Sequence, residues 1–101
     1  MKVEMTKVKL IGTYLQGLFP DKTKYADLVK VFGQPNGELK GIDVDAEWWG
    51  TIDGEVFAIY NYKTGRNFLG GLPVEEIAEW HIGAQSEAVA NNVVKYFKEA
   101  K

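Results

Sequence analysis

The sequence predicts an α+β fold: a single antiparallel sheet of about four strands with two helices packed on one face, in the order β-α-β-β-β-α. Three observations support this fold class. Two segments show the apolar spacing of amphipathic helices, an Asp-Gly pair separates two β-rich runs, and a length of 101 residues suits one domain. We therefore treat residues 1–101 as a single domain.

Composition and charge narrow the class of protein. With 46% hydrophobic and 26% charged residues, the chain has the composition of a globular protein, which argues against disorder. A net charge of −2 with scattered basic residues does not provide the basic stripe of a nucleic-acid binder. The absence of cysteine excludes disulfides and thiolate metal sites. Because Lys7 and Lys9 interrupt the first apolar segment, and no run approaches the roughly 20 apolar residues of a membrane span, we predict a cytoplasmic protein without signal peptide or membrane association.

The first strand is predicted within "VKLIGTYLQGLF", residues 8–19. Its β-branched and aromatic residues favour a strand, and the interior glycines predict a bend at Gly12 or Gly17. Pro20 ends the segment.

The first helix is predicted in "TKYADLVKVFGQP". Thr23 is a suitable N-cap, Gly33 can take the left-handed conformation after the helix, and Pro35 prevents its continuation. Apolar residues recur at i, i+3, i+4 and i+7: Tyr25, Leu28, Val29 and Phe32.

A β-hairpin follows, with strands at about 44–52 and 55–62 joined by Asp53-Gly54. This dipeptide suits a type I′ turn, which needs positive φ at both central residues. A two-residue turn fixes the register, and directly opposed residues share a face. The predicted pairs are Ile52 with Glu55, Thr51 with Val56, Trp49 with Ala58, Trp48 with Ile59, Glu47 with Tyr60, and Asp45 with Tyr62.

This register divides the hairpin into two faces. The core face would carry Val44, Ala46, Trp48, Ile52, Phe57 and Ile59. The opposite face would carry Asp45, Glu47, Trp49, Thr51, Val56, Ala58, Tyr60 and Tyr62. Because two helices on one side leave the other side uncovered, we expect Trp49, Tyr60 and Tyr62 to be at least partly exposed. Cross-strand pairing for stability, the loop at 63–73, or a homodimer formed through this face are alternative explanations for these aromatic residues.

The remaining third of the chain is predicted to contain a glycine-rich loop at 63–73, a strand at 75–83 and a helix at 86–99. Residues 75–83 could also form a short helix, and Trp80-His81-Ile82 before Gly83 favours the strand. Ser86 is a plausible N-cap of the last helix.

The sequence contains few residues that could form a catalytic site or a metal site. Asp43, Asp45 and Glu47 alternate and could join Glu79 and His81 in a metal site, but acids on solvated strands are commoner. His81 is the single histidine and Ser86 the single serine, which leaves little for a nucleophilic triad. We predict no catalytic residue, no metal and no cofactor.

A nucleotide site is an alternative. Lys63 and Arg66 lie in the glycine-rich loop, and together with His81 and the aromatic face they could bind a phosphate and stack a base. The loop lacks the Lys-Ser/Thr pair of a phosphate-binding loop.

Four motifs together resemble a group of small phage-encoded proteins of unknown function. They are the Tyr-Leu helix ending in Phe-Gly-x-Pro ("YADLVKVFGQP"), "AEW", the Asp-Gly turn, and "WHIG", and they extend over nearly the whole chain. More weakly, "LVKVFGQP" before a hairpin is similar to the helix-Gly-x-Pro-strand unit of the β-lactamase-inhibitor-protein fold, whose domains bind proteins with an open sheet face. The phage resemblance implies a small accessory protein acting in the infected bacterium.

The function expected from these observations is non-catalytic binding of a host or phage protein, with inhibition of a bacterial defence component as one outcome. Trp and Tyr are enriched in interface hot spots, which favours a protein partner. The nucleotide binder is the first alternative and a small enzyme the second. The expected contact residues are Asp45, Glu47, Trp49, Tyr60, Tyr62 and Arg66.

Overall fold

The structure is a computed structural model that describes residues 1–6, 13–37, 44–62 and 70–100. Within these residues the fold is α+β with one antiparallel sheet, as predicted. The strands are β1 (Val3–Met5), β2 (Tyr14–Leu18), β3 (Glu47–Ile52), β4 (Glu55–Tyr60) and β5 (His81–Ala84); the helices are α1 (Tyr25–Phe32) and α2 (Glu87–Ala100), with a short 3₁₀ helix at Val74–Glu76.

The sheet has five strands in the spatial order β1-β3-β4-β5-β2, whereas about four were predicted. Along the chain the strands and α-helices follow each other as β-β-α-β-β-β-α, so the predicted order β-α-β-β-β-α was wrong. The additional strand, β1, has only three residues, too few for an alternating pattern to stand out. It pairs with β3, and the hairpin turn holds its start: Lys2 N donates to Asp53 Oδ1 at 2.8 Å, and Asp53 N donates to Lys2 O at 2.8 Å.

The predicted strand at 8–19 corresponds in part to β2. Its residues 8–12, including the predicted bend at Gly12, lie outside the described residues. The pairing of β2 with β5 shifts register between Leu15 and Gly17, so the irregularity predicted at Gly17 is present as a β-bulge.

The hairpin of β3 and β4 was predicted correctly. Asp53 and Gly54 both have positive φ, 49° and 84°, as a type I′ turn requires. From Ile52 opposite Glu55 to Glu47 opposite Tyr60, each predicted pair is observed. The regular pairing ends there, so the expected pair of Asp45 with Tyr62 is not part of the ladder.

Helix α1 begins at Tyr25, two residues after the predicted cap. Thr23 is buried and its Oγ1 donates to Pro20 O at 2.7 Å, so it is not the N-cap. The backbone N–H of Lys24 donates instead to the Asp27 carboxylate at 3.0 Å. Gly33 ends the helix with the positive φ that was expected, 82°, but its ψ of −165° lies outside the predicted left-handed helical conformation.

The predicted strand at 75–83 is shorter in the structure. A 3₁₀ turn occupies Val74–Glu76, and β5 begins at His81. Trp80 lies between them, buried, with Nε1 donating to Ile77 O at 3.2 Å. The cap of α2 was predicted correctly, because Val89 N donates to Ser86 Oγ at 3.3 Å.

Both helices pack on one side of the sheet, as predicted. Phe32 of α1 lies 6.1 Å from Phe57 of β4 between ring centroids, and a Cβ on Gly17 of β2 would lie 3.2 Å from Ala90 Cβ of α2. The core face therefore formed as expected, except that Val44 is half-buried and lines a cleft on the other side of the sheet. The confirmed core residues of the hairpin are Ala46, Trp48, Ile52, Phe57 and Ile59. No helix in the described ranges is long and apolar enough to span a membrane.

Candidate functional site

The candidate site lies on the side of the sheet opposite the helices, which we call the open face. Strand alternation places residues from five strands there. They are Glu4 of β1; Glu47, Trp49 and Thr51 of β3; Val56, Ala58 and Tyr60 of β4; His81 and Gly83 of β5; and Leu15 and Leu18 of β2.

Trp49 is on the open face but is only 8% exposed, so the prediction of an exposed indole was wrong. The chain after α1 runs along the edge of β3 beyond the end of β1. There the Asn36 side chain replaces a neighbouring strand: it accepts from Trp49 N at 2.7 Å and donates to Trp49 O at 3.0 Å. The Trp49 Nε1 atom is buried and has no hydrogen-bond partner among the described residues.

Glu47 is also buried, at 6% exposure, although it lines the cleft on the open face. Gly37 N donates to Glu47 O at 2.9 Å. The Gly37 backbone lies so close that a Cβ there would be 2.6 Å from both Cγ and Oε1 of Glu47. The same segment that covers β3 next to Trp49 therefore closes one side of the Glu47 side chain.

Asp45 does not share the open face with Glu47. Its Oδ1 accepts from Asn61 Nδ2 at 3.1 Å, and its backbone N donates to Asn61 Oδ1 at 2.8 Å. Asn61 is fully buried, and Asp45 lines a separate cleft of about 270 Å³ next to Tyr25 of α1. The strand alternation that placed Asp45 beside Glu47 does not hold here, because β3 begins at Glu47.

The cleft on the open face has a volume of about 360 Å³. Its floor contains two small residues, Ala58 and Gly83, and the Tyr60 ring lies across Gly83. None of the residues described along it is basic. They are Thr13, Tyr14, Val44, Glu47, Ala58, Tyr60 and Gly83.

The His81 ring contacts two tyrosine rings, and one of them, Tyr60, lines this cleft. His81 is 5.6 Å from Tyr60 and 6.3 Å from Tyr62 between ring centroids. Tyr60 is half-buried and Tyr62 is 45% exposed, so the predicted partial exposure of these two side chains is confirmed. His81 is buried, with Nε2 3.2 Å from Glu79 Oε1.

Among the residues described along the cleft, Glu47 is the one with a charged side chain. Burial raises the pKa of the Tyr60 hydroxyl, and the nearby Glu47 carboxylate and then Tyr62 raise it further, because each disfavours a second negative charge. A phosphate would meet the same repulsion, which counts against a nucleotide in this cleft. The other expected phosphate contacts, Lys63 and Arg66, lie outside the described residues, as does Asp43 of the expected metal cluster. Within the described ranges, no three potential ligands come together to hold a metal ion.

Two residues that the sequence did not single out are the most exposed apolar side chains on the open face. Leu15 is 57% and Leu18 is 53% exposed. Leu15 pairs with Gly83 and Leu18 with His81, so both lie next to the cleft and its rings. Their shared face depends on the bulge between Leu15 and Gly17, because residues three apart in a regular strand point to opposite sides.

Comparisons with known proteins give no further guide to the site. No protein-family model matches the chain, and neither a search of curated proteins nor a search of solved structures found a match. The resemblance to small phage-encoded proteins therefore stays a prediction.

Proposed function

We propose that this chain is a non-catalytic binding protein that engages another protein through the β2, β5 and β4 side of its open face. The observation that carries this proposal is the exposure of Leu15 and Leu18 on a sheet face, directly beside a cleft. Single exposed apolar residues are ordinary, but neighbouring ones around a concavity are typical of interaction sites.

The arrangement of side chains around the cleft supports this proposal. Partly exposed aromatic and apolar side chains surround a recess that contains the buried Glu47 side chain, and desolvated recesses are where binding energy concentrates. Tyr60 and Tyr62 remain in the proposed contact surface, joined by Leu15 and Leu18. Arg66 is retained as a predicted contact outside the described residues, whereas Trp49 is assigned to support the surface from within.

The biological setting follows from the phage resemblance and is part of the same proposal. A small accessory protein in an infected bacterium would use this surface to bind a host or phage protein, and inhibition of a defence component would be one outcome. The described cleft residues include one carboxylate, two tyrosines and one threonine, with no histidine among them, which favours non-covalent binding over catalysis.

Affinity capture from phage-infected cells tests the proposal. Leu18→Ser and Tyr62→Ser should lose the captured partner while keeping the circular dichroism spectrum and the unfolding midpoint of the unaltered protein, because both side chains are about half exposed. Ala88→Ser is the matched control, since Ala88 is exposed on α2 at the opposite side of the sheet. If all three variants retain the same partner, the open face is not the binding surface.

A further inference from the structure

We propose that Asn36 is a covalent modification site: the folded chain holds back its spontaneous deamidation, and deamidation releases the segment of Asn36 and Gly37 from strand β3. The inference goes beyond the proposed binding function and does not depend on it. Asn36 is the one asparagine of the sequence that is followed by glycine. This dipeptide deamidates readily in an unfolded chain, because glycine is conformationally free and has no side chain to hinder attack by its backbone nitrogen.

The reaction uses only the chain and water. The backbone nitrogen of Gly37 attacks Cγ of the Asn36 side chain. An N–Cγ bond forms, the Cγ–Nδ2 bond breaks, and ammonia leaves with the proton of the Gly37 nitrogen. The resulting succinimide ring is then opened by water at one of its two carbonyl carbons, which gives aspartate or isoaspartate at position 36.

The packing of this segment on β3 requires both residues of the reactive pair. The Asn36 side chain takes the place of a neighbouring strand, accepting from Trp49 N at 2.7 Å and donating to Trp49 O at 3.0 Å. Gly37 lies against Glu47, where a Cβ would be 2.6 Å from Cγ and 2.8 Å from Cβ of that residue. The edge of β3 thus selects an asparagine and the Glu47 side chain selects a glycine, and together they form the reactive dipeptide.

The same contacts hold the reacting groups in place. The attacking atom, Gly37 N, donates to Glu47 O at 2.9 Å, and the leaving group, Asn36 Nδ2, donates to Trp49 O. Loss of the proton from Gly37 N breaks the first bond, and movement of Cγ onto that nitrogen breaks the bonds to Trp49. The reaction in the folded protein therefore proceeds through the fraction of molecules in which this segment has opened.

Deamidation prevents the segment from returning to its place. An aspartate at position 36 has no N–H to donate, so a carboxylate oxygen would face Trp49 O across the 3.0 Å that the amide now bridges. An isoaspartate adds a methylene to the main chain and displaces Gly37 from Glu47 O. Both products weaken the cover on one side of Glu47, which lines the cleft on the open face.

The test follows deamidation of Asn36 by mass spectrometry of proteolytic peptides in mildly alkaline buffer. The protein is incubated folded and, in parallel, unfolded in guanidinium chloride. We expect Asn36 to react at least about tenfold more slowly in the folded protein, because three hydrogen bonds must open before the ring can close. Equal rates in the two states, or no reaction of Asn36 in the unfolded chain, would overturn the proposal.

Gly37→Ala shows whether the position of the segment provides the protection. The added Cβ collides with Glu47, so the segment must move away from β3. Because alanine also slows the reaction in an unfolded chain, each variant is compared with its own unfolded form. The protection should fall by at least about threefold in Gly37→Ala and stay unchanged in Gln34→Ala, an exposed control. Full protection in a folded Gly37→Ala would contradict the proposal.

Asn36→Asp reproduces one product and tests the release. It should lower the urea midpoint and accelerate hydrogen exchange at the Gly37 amide, with Gln34→Ala again as the control. An unchanged midpoint and unchanged exchange would mean that the deamidated segment stays on β3, and the proposed release would be wrong. If Asn36→Asp does not fold, that is the expected loss in its extreme form, and the reaction rates of the unaltered protein still test the protection. Partner capture enters none of these measurements, so their failure leaves the proposed function standing.

Discussion

The ring of Tyr60 lies across Gly83 of the neighbouring strand, with Tyr60 Cε1 3.4 Å from the position that a Cβ on Gly83 would take. The two residues are diagonal neighbours on the open face, because Tyr60 pairs with His81 and Ala58 pairs with Gly83. The missing side chain thus leaves room for the ring above the strand, and the ring covers the backbone that a glycine exposes.

Gly83→Ala should therefore fold and be slightly more stable than the unaltered protein. The added Cβ would make ordinary contacts of 3.4–3.8 Å with Tyr60, Tyr14 and Ala58. A glycine inside a strand costs about 0.5–1 kcal/mol relative to alanine through its greater freedom in the unfolded chain. Urea denaturation followed by tryptophan fluorescence measures the difference, and a lower midpoint would contradict the ordinary packing at this position.

Gly50→Ala should give the opposite result on the same sheet. A Cβ at Gly50 would lie 2.7 Å from Glu4 O and 3.1 Å from both Met5 Sδ and Phe57 Cζ. Because one of these atoms belongs to the backbone of β1, the strand itself must move, and we expect a loss of about 1–3 kcal/mol in the free energy of unfolding. Urea denaturation measures this loss of stability, and Gly83→Ala serves as the comparison. Equal urea midpoints for the two variants would show that β1 can shift to accommodate the added Cβ at little cost in free energy.

Asn36→Ala should destabilise the protein by about 1–3 kcal/mol, since it leaves the backbone N–H of Trp49 without its partner. The Trp49 carbonyl is less affected, because Thr6 N still donates to it at 3.1 Å. Gln34→Ala, an exposed residue two positions earlier, is the matched control and should change stability by no more than about 0.5 kcal/mol. Hydrogen exchange at the Trp49 amide should become faster in Asn36→Ala alone. Similar stability and similar exchange rates in both variants would show that the Asn36 side chain does not stabilise the edge of β3.

The hairpin could be predicted because its information is local. Asp53-Gly54 determines the turn, the turn determines which residues face each other, and alternation assigns the faces. The burial of Trp49 and Glu47 could not be predicted in this way. Their covering comes from Asn36 and Gly37, in a segment without periodic apolar residues whose position on β3 is fixed only by the folded chain.

In the candidate site too, some residues could be predicted from the sequence and others could not. Tyr60 and Tyr62 follow from the hairpin register and were expected at the surface. Leu15 and Leu18 were missed, because a single bulge changes which side of β2 a residue occupies, and a bend predicted at Gly12 or Gly17 does not assign the two sides of the strand. Strand β1 was missed because three residues carry no usable period.

The raised pKa of Tyr60 predicts a specific loss of stability at alkaline pH. Burial, with a further contribution from the Glu47 charge and from Tyr62, disfavours the phenolate in the folded protein, so the folded state holds this proton more tightly than the unfolded chain does. The resulting stabilisation is fully present below the ordinary tyrosine pKa of 10.0 and is lost as the pH rises through the higher folded-state value.

Tyr60→Phe should remove that part of the pH dependence, because phenylalanine has no proton to release. We expect the urea midpoints of the variant and the unaltered protein to decline differently above about pH 10, with the shallower decline in Tyr60→Phe, and to run parallel between pH 7 and 9. Phenolate absorbance followed through the same titration shows whether the tyrosine ionises before or with unfolding. Parallel curves over the whole range would mean that ionisation of Tyr60 costs the same in the folded and unfolded chain, and that Glu47 exerts no effective field on the cleft.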